Sequence, residues 1–453
     1  MFFLSRRSCL SSLSCLFSLV AACGAPPAQP PVTSAVPAAD WFVDRAQASG
    51  LDFTHVNGMT GKFDYPEIIG SGAALFDMDN DGDLDVFLVQ YKGQSRLFRN
   101  NLETASLTFT DVTDRSGIVS AGNGMGVAAG DFNNDGCVDL YLTNRGLNQL
   151  FRNNCDGTFT DVSKKSGTEG HAGDWSVSAA WIDYDRDGWP DLFVTHYLNW
   201  SEATAGACRS ASGRPDYCSP NAYQPQPSRL YHNNRDGTFT DVTAASGIAR
   251  EFGPALGVSI ADVNGDGWMD IYVANDGQPN QLWSNQRNGT FRNTALLSGA
   301  AVSAGGKAKG SMGVDAGDFD GDGDEDLVMT ELTGEGANLF VNDGTGVFEE
   351  RGVPSGLAAL TTAFTGFGAA WIDYDNDGRL DLLTVNGAVR TIESLARAGD
   401  PFPLHQRKLL LRNIGSRPGS GDAVRFEDVS AKAGALFQQS AVGRGAAFGD
   451  IDN

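Results

Sequence analysis

The chain has 453 residues and is strongly acidic, with 56 Asp and Glu against 33 Lys and Arg and a formal net charge of −23. A protein that binds nucleic acid or anionic lipid needs a basic surface, so this charge argues against both classes of partner. Many of the acidic residues lie in short Asp clusters, which indicates a bound cation rather than a disordered acidic tail.

The first predicted element is an export signal over residues 1–22. Arg6 and Arg7 form its charged region, and Cys9 to Val20 carries most of an apolar stretch. That stretch is too short to span a membrane as a stable helix. We therefore expect an exported protein of the cell envelope.

Cys23 follows directly on Val20-Ala21-Ala22, an arrangement that looks like a bacterial lipobox. We predict that Cys23 carries a lipid and is the first mature residue; an ordinary signal peptide cut after a small residue is the alternative. Residues 23–40 are rich in Pro and Ala and form a predicted flexible tether. We then expect an outer-membrane or surface lipoprotein whose only contact with the membrane is this lipid.

One Asp-rich motif recurs through the rest of the chain, residues 41–453. The first copy runs from Asp77 to Asp85, and an apolar strand follows it. Further copies start at Asp131, Asp183, Asp262, Asp318 and Asp373. Most starts are 52–56 residues apart, and the two longer intervals of 79 and 77 residues predict insertions near residues 198–228 and 388–408.

Each repeat indicates four short strands joined by tight turns. Small residues precede each motif, and turns such as Asn233-Asn-Arg-Asp-Gly237 lead into a last strand; Asp-Gly in this context is a strong hairpin signal. Such units are typical of propeller blades. We predict an all-β, seven-bladed β-propeller with an incomplete last blade, because the seventh motif begins at Asp450 and stops at Asn453. A linear array is the alternative, but a ring leaves only short, protected edges.

The motif Asp-x-Asp-x-Asp-Gly-x-x-Asp can turn alternate side chains toward one point, and calcium takes about six to eight oxygen ligands. We expect side-chain oxygens from positions 1, 3, 5 and 9, and the backbone carbonyl from position 7, where Trp and Arg also occur. Asx turns without metal are the alternative. No Glu stands at position 12, so the motif is not an EF-hand. The predicted calcium-site residues are Asp77, Asp79, Asp81, Asp83, Asp85, Asp131, Asn133, Asp135, Cys137, Asp139, Asp183, Asp185, Asp187, Trp189, Asp191, Asp262, Asn264, Asp266, Trp268, Asp270, Asp318, Asp320, Asp322, Asp324, Asp326, Asp373, Asp375, Asp377, Arg379 and Asp381.

Four cysteines remain after the signal and Cys23 are set aside, and an even number in an oxidising compartment suggests disulfides. Cys208 and Cys218 share one insertion and are expected to pair, which leaves Cys137 to pair with Cys155. A zinc site is the alternative, but the spacings do not fit it and no His accompanies them.

The motif and its neighbours resemble the FG-GAP or VCBS repeats of integrin α-subunit propellers, as in Phe367-Gly-Ala-Ala370 before Asp373. The insertion that contains Cys208 and Tyr223, and the Asn-Asn-x-Asp-Gly-Thr-Phe turns, are similar to the ASPIC/UnbV family of bacterial relatives of cartilage acidic protein. The resemblance implies a seven-bladed propeller with calcium held by Asp77 and its equivalents. That family carries an ASPIC/UnbV domain after the propeller, so we expect this sequence to be truncated before it.

These patterns favour a non-catalytic binding scaffold, with an extracytoplasmic protein or a glycan as ligand. No catalytic residue is predicted: the sequence has no His-Glu-x-x-His, Gly-x-Ser-x-Gly or phosphate-loop motif. A polysaccharide lyase or hydrolase is the alternative, because the fold does not exclude catalysis. His196 and His232 are expected to be surface or packing residues rather than bases. A purely structural spacer is the third hypothesis.

Overall fold

The computed structural model describes residues 40–104, 106–416 and 424–452. These residues form six antiparallel sheets of four strands each, and in every sheet the strands are adjacent in chain order. The predicted signal peptide, Cys23 and nearly all of the tether lie outside the described residues. Among the described residues, no helix is long and apolar enough to cross a bilayer.

The first sheet, blade 1, contains β1 (Ala73–Phe76), β2 (Asp85–Leu88), β3 (Arg96–Asn100) and β4 (Phe109–Asp111), and blade 2 contains β5 (Gly124–Gly130), β6 (Asp139–Asn144), β7 (Gln149–Asn153) and β8 (Phe159–Asp161). Blade 3 contains β9 (Ser176–Ile182), β10 (Asp191–His196), β13 (Arg229–Asn233) and β14 (Phe239–Asp241). A small separate hairpin, β11 (Cys208–Arg209) and β12 (Pro215–Asp216), lies between β10 and β13 in the chain. Blade 4 contains β15 (Ala255–Ala261), β16 (Asp270–Asn275), β17 (Gln281–Asn285) and β18 (Phe291–Asn293), and blade 5 contains β19 (Val314–Gly317), β20 (Asp326–Met329), β21 (Asn338–Asn342) and β22 (Phe348–Glu350). Blade 6 contains β23 (Gly366–Ile372), β24 (Asp381–Asn386), β26 (Leu409–Asn413) and β27 (Phe426–Asp428). The short strands β25 (Gln406–Arg407) and β28 (Ser440–Ala441) pair with each other.

The helices are single turns in the connections. The α-helices are α1 (Thr113–Ser116), α2 (Ser163–Ser166), α3 (Ala295–Ser298), α4 (Leu357–Thr361), α5 (Glu393–Arg397) and α6 (Ser430–Ala433). Short 3₁₀ turns cover Tyr65–Ile68, Leu102–Thr104, Pro220–Ala222, Ile248–Arg250 and Ala435–Gln438.

The first strands of the six sheets line one central cavity of about 270 Å³, so the sheets are the blades of a β-propeller. Small residues are needed there because neighbouring first strands almost touch. A Cβ on Gly126 of blade 2 would clash with the carbonyl oxygen of Val177 in blade 3. The hydroxyl of Thr143 donates a 2.7 Å hydrogen bond to that same carbonyl. The prediction of an all-β propeller is confirmed.

The hydrophobic core is divided into layers between neighbouring blades. Phe87 and Leu97 of blade 1 lie in one cluster with Leu140 and Phe151 of blade 2, and all four side chains are fully buried. Similar clusters fill the next four spaces between blades. Full burial of such a side chain contributes roughly 1.5–3 kcal/mol. Each blade therefore depends on its neighbours for much of its stability.

The position between blade 6 and blade 1 holds an inner segment, residues 443–449. The carbonyl of Arg444 accepts a 2.7 Å hydrogen bond from the N–H of Gly368 in blade 6. A Cβ on Gly445 would lie 2.7 Å from the carbonyl oxygen of Ser71 in blade 1. This segment therefore continues the ring of first strands around the central cavity.

The outer part of the same position holds residues 42–50. They have the same spacing of Phe, Asp, Ser and Gly as the last strand and turn of blade 3. The N–H of Phe109 donates to the carbonyl of Ser49 at 2.6 Å, as the N–H of Phe291 donates to the carbonyl of Ser246 at 2.8 Å. Residues 42–50 thus contact blade 1 in the way that a preceding blade would.

The prediction of seven blades is wrong, because the described residues form six four-stranded blades. The seventh position contains the inner and the outer segment, but no described residues form the two middle strands between them. Without those strands the outer segment has no partner for a β ladder, and it has extended and turn conformation rather than strand structure.

Three segments form a cap over one end of the cavity: the insertion between β10 and β13, the insertion between β24 and β26, and the segment before β1. The hydroxyl of Tyr217 donates to Glu67 Oε2 at 3.0 Å, and the N–H of Thr391 donates to Asp216 Oδ1 at 3.2 Å. A disulfide joins Cys208 to Cys218 within this cap. The cap therefore ties blades 1, 3 and 6 together across the ring.

Candidate metal sites

The six Asp-rich motifs occupy the same place in the six blades. Each connects the first strand to the second, as residues 77–85 connect β1 to β2. Because every first strand runs in the same direction along the axis, the six loops lie on one face of the ring. The cap follows the second strands and lies on the opposite face. We number the loops 1 to 6 after their blades.

Each loop is folded by its own position-1 aspartate. In loop 1, Asp77 accepts hydrogen bonds from the N–H groups of Asp81 and Gly82 at 3.2 and 2.9 Å. The same two bonds recur in the other five loops at 2.7–3.1 Å. Glycine is needed at position 6 because φ is positive there, +91° at Gly82.

The position-9 aspartate attaches each loop to the third strand. Asp85 is 1% exposed, and its Oδ1 accepts a 2.7 Å hydrogen bond from the N–H of Asn100. Equivalent bonds of 2.7–2.8 Å form in the other five blades. The amide of that strand-three Asn also reaches back to the preceding blade, as Asn153 Nδ2 donates to Met78 O at 2.9 Å. Each loop is thus connected to two blades.

Burial raises the pKa of these position-9 carboxyls, although backbone hydrogen bonds oppose the shift and neighbouring aspartates add to it. The pKa of Asp85 rises to about 7 and that of Asp191 to about 8. Close packing of several carboxylates in a poorly solvated site is unfavourable unless a cation is near. The electrostatics of the loops therefore suit a bound cation.

In three of the loops, carboxylate oxygens from three motif positions lie close together. Oxygens of Asp77, Asp79 and Asp85 lie within 4.8 Å of one another, and the same holds for positions 1, 3 and 5 of loop 3 and positions 1, 3 and 9 of loop 5. In loops 1, 3 and 6 the Oδ1 of the position-3 aspartate is buried without a hydrogen-bond partner among the described residues. Such oxygens fit a calcium ion, which takes oxygen ligands.

The position-7 side chains have no common role. Cys137 forms a disulfide with Cys155 in the turn after β7, Trp268 lies 5.5 Å from the guanidinium of Arg186, and Arg379 donates to the carbonyl of Asn413. The feature that all six loops share at position 7 is a backbone hydrogen bond: the position-7 N–H donates to the position-5 carboxylate at 2.9–3.1 Å. This variety is compatible with a ligand role for the carbonyl alone.

Sequence reasoning missed a set of cations around the loops. Arg99 of β3 donates to Asp79 and to Asp81 at 2.6 Å each. Corresponding pairs join the position-3, -5 or -9 carboxylates of three other loops to His232, Arg235, Arg287, Arg379 and Arg412. A basic residue just before the strand-three Asn, as at Arg99, is the signal that could have found part of this set.

The two histidines singled out in the sequence have structural partners. His196 is 1% exposed, and its Nδ1 lies 2.6 Å from the carbonyl of Pro227. His232 lies 3.2 Å from Asp191 and 3.5 Å from Asp185, so it belongs to loop 3. His196 therefore packs in the interior, and His232 lies beside the carboxylates of loop 3.

A family model for the FG-GAP-like repeat matches residues 77–142, 131–194, 211–273, 262–329 and 318–384. The matched segments cover more than half of the chain, and each ends in the second strand of a blade, so the chain belongs to the FG-GAP-like repeat family.

Among individual relatives, cartilage acidic protein 1 of Xenopus tropicalis is 27% identical over 434 residues, covering 81% of this chain and 64% of that protein. The human protein of the same name is 25% identical over 419 residues, covering 77% and 61%. The chain thus spans less than two thirds of the length of these relatives.

Among solved structures, an Agrocybe aegerita lectin that recognises non-reducing terminal N-acetylglucosamine matches with a TM-score of 0.44 and 15% identity, covering 80% of both chains. A Lactobacillus plantarum protein matches with a TM-score of 0.43 and 12% identity, covering 79% and 87%.

Proposed function

We propose that this chain is a non-catalytic, calcium-binding scaffold, anchored in the cell envelope, which binds an extracytoplasmic protein or a glycan. The observation that carries the proposal is the sixfold recurrence of one carboxylate loop on one face of the ring. Positions 1, 3, 5 and 9 and the position-7 carbonyl of each loop would hold the ion. When bound, calcium supplies positive charge to carboxylates that are otherwise crowded and poorly solvated.

The proposed role of calcium is structural. Each loop joins the first two strands of a blade and is bonded through its position-9 aspartate to the third, so fixing the loop stabilises the whole blade. Extracellular calcium modules bind at about 10⁻⁴ to 10⁻³ M, so each site would contribute about 1 kcal/mol at millimolar calcium. Several sites together would contribute an amount comparable with the roughly 5–15 kcal/mol stability of a domain.

Calorimetric melting with and without a chelator tests the calcium proposal. We expect chelation to lower the Tm by several degrees, calcium to restore it and magnesium to restore little, because magnesium prefers a smaller octahedral shell. A melting curve that does not respond to the chelator would contradict the proposal.

The cap is the surface we propose for ligand binding. Its loops are held by a disulfide and by hydrogen bonds between three segments, so its shape is well defined before binding. Screening the full chain against glycans and envelope proteins tests this. A hit that is lost on shortening the insertion between β10 and β13 supports the cap. No ligand at all would favour a spacer, and polysaccharide cleavage would favour an enzyme.

Anchoring rests on Cys23. Mass spectrometry of the exported protein should find a lipid-modified N-terminal Cys23, and Cys23→Ser should release the chain from the membrane fraction. An unmodified N-terminus at another residue would contradict the anchor and leave the calcium proposal intact.

A further inference from the structure

We propose that loop 5, residues 318–326, is the tight calcium site of the ring, and that the loops with paired arginines or histidine are weaker sites. This inference rests on the calcium-binding function proposed above. It concerns a difference among loops that share one sequence motif, and the difference comes from the side chains that surround them.

Loop 5 has the full set of four aspartates at the side-chain ligand positions, with no positively charged partner. Among the described residues, no ion pair involves any of Asp318, Asp320, Asp322 or Asp326. Calcium affinity rises with the charge of the ligands, so an uncompensated set of carboxylates favours tight binding.

Loops 1, 3 and 6 have the same four aspartates but carry their own cations. Arg99 lies 2.6 Å from both Asp79 and Asp81. In loop 6, Arg412 lies 2.8 Å from Asp375 and 3.1 Å from Asp377. A guanidinium at this distance reduces the negative charge that the metal would meet and repels a second cation.

Loops 2 and 4 have one carboxylate fewer at the ligand positions. Asn133 and Asn264 replace the position-3 aspartate. Loop 4 also pairs Asp266 with Arg287 at 2.6 Å. Loop 2 is joined to the turn after β7 through Cys137, which limits the adjustment of position 7 to an ion.

Loop 5 also has a buried oxygen without a close partner, at position 9 rather than at position 3 as in loops 1, 3 and 6. In loops 1, 2, 3 and 6 the Oδ2 of the position-9 aspartate accepts the N–H of position 2 at 2.7–3.3 Å. Asp326 is fully buried, and its Oδ2 has only a weak contact with the N–H of Phe319 at position 2. Oxygens of Asp318, Asp320 and Asp326 lie within 4.8 Å of one another. A calcium ion among them would satisfy the buried oxygen.

One residue in the third strand explains why loop 5 is open. Val341 stands directly before Asn342, in the position that Arg99 has before Asn100. With valine there, Asp320 is exposed, whereas Asp79 is partly covered by Arg99. An ion can therefore reach loop 5 without competing with a side chain.

Loop 5 lacks one of the side-chain links that join neighbouring loops elsewhere in the ring. Asn80 at position 4 of loop 1 donates to Gly136 O of loop 2 at 3.3 Å, and Asn134 donates to Gly188 O of loop 3 at 2.8 Å. Position 4 is Gly265 in loop 4 and glycine again in loop 5, so no side chain makes the corresponding link on either side of loop 5. The strand-three Asn bonds, from Asn342 to Val263 O and from Asn413 to Phe319 O, still connect blade 5 to loop 4 and loop 5 to blade 6.

Calorimetric titration of the full chain with calcium chloride, after removal of metal, tests the inference. We expect one tight site followed by weaker binding. Asp320→Asn should weaken the tight phase by at least about tenfold, and Val341→Arg should weaken it by adding the cation that loop 1 has. Arg99→Val should leave the tight phase unchanged and strengthen one of the weak sites.

Asp343→Asn is the matched control, since it removes the same charge from the turn after β21, where Asp343 accepts a hydrogen bond from Thr345 and is no predicted ligand. It should change the tight phase by less than about threefold. A tight phase that survives Asp320→Asn overturns the inference while calcium binding stands. No calcium binding by any variant or the parent overturns the calcium function itself, and with it the inference.

Discussion

Replacement of Asp85 by Asn separates the structural role of a position-9 carboxylate from its role toward calcium. Asp85 Oδ1 accepts the N–H of Asn100, and Oδ2 accepts the N–H of Met78, both at 2.7 Å. Asn keeps the shape and one oxygen. Its NH₂ group, however, cannot accept a hydrogen bond, so the N–H of either Met78 or Asn100 loses its partner.

The expected magnitude follows from these two bonds. A hydrogen bond to a charged group is worth about 1.5–3 kcal/mol, and a buried donor without a partner costs about 1–3 kcal/mol. The variant no longer buries a carboxylate charge, and this offsets part of the loss of stability. We expect a net loss of about 2–4 kcal/mol with calcium present. At about 2.1 cal/mol/K of unfolding entropy per residue, this corresponds to a fall in Tm of about 2–5 °C for a chain of this size.

The assay is differential scanning calorimetry of Asp85→Asn and the parent, in millimolar calcium and in excess chelator. The fall in Tm should be larger in calcium, because the variant then also loses a metal ligand. Asp156→Asn, the same change in an exposed turn, should move the Tm by less than about 1 °C. If Asp85→Asn melts like the parent in both buffers, the reasoning from the two hydrogen bonds is refuted; equal losses in both buffers would refute the ligand role.

Gly50→Ala should lower the Tm, because φ is +90° there and a Cβ would lie 2.7 Å from Phe109 O; Gly61→Ala, with φ +81° and free space, controls for the backbone strain alone. Equal melting of the two variants would show that residues 42–50 do not pack against blade 1 as described. Peptide mapping without reduction should recover Cys208 linked to Cys218, and Cys218→Ser should cost up to about 3 kcal/mol, the entropy of closing a short loop; free thiols at both positions would contradict the bond.

Much of the fold could be predicted from the sequence because the repeat is local. The Asp-rich motif, its glycine at position 6 and the apolar strand after it depend on residues close together in the chain, and hydrogen bonds such as those from Asp81 and Gly82 to Asp77 form within one loop. Repetition then indicates a ring of similar sheets. For the same reason the ligand positions could be proposed from spacing alone.

The number of blades could not be derived in this way. Counting motifs predicts seven units, but a blade needs four strands, and the described residues supply only inner and outer segments at the seventh position. The role of residues 42–50 depends on contacts with Ala433 and Phe109, which are distant in sequence. Counting motifs therefore locates the seventh position but does not show which of its strands form.

The sequence by itself determined the repeat, the propeller class and the six Asp-rich loops, because each of these arises from residues within about one turn or hairpin. Only the tertiary structure decided which loops differ. Arg99 covers Asp79 across 20 residues, and Asn153 of one blade bonds to Met78 of another across 75. The charge and solvation of a carboxylate depend on everything that packs around it, and those neighbours come together only when the strands of adjacent blades are assembled into the ring.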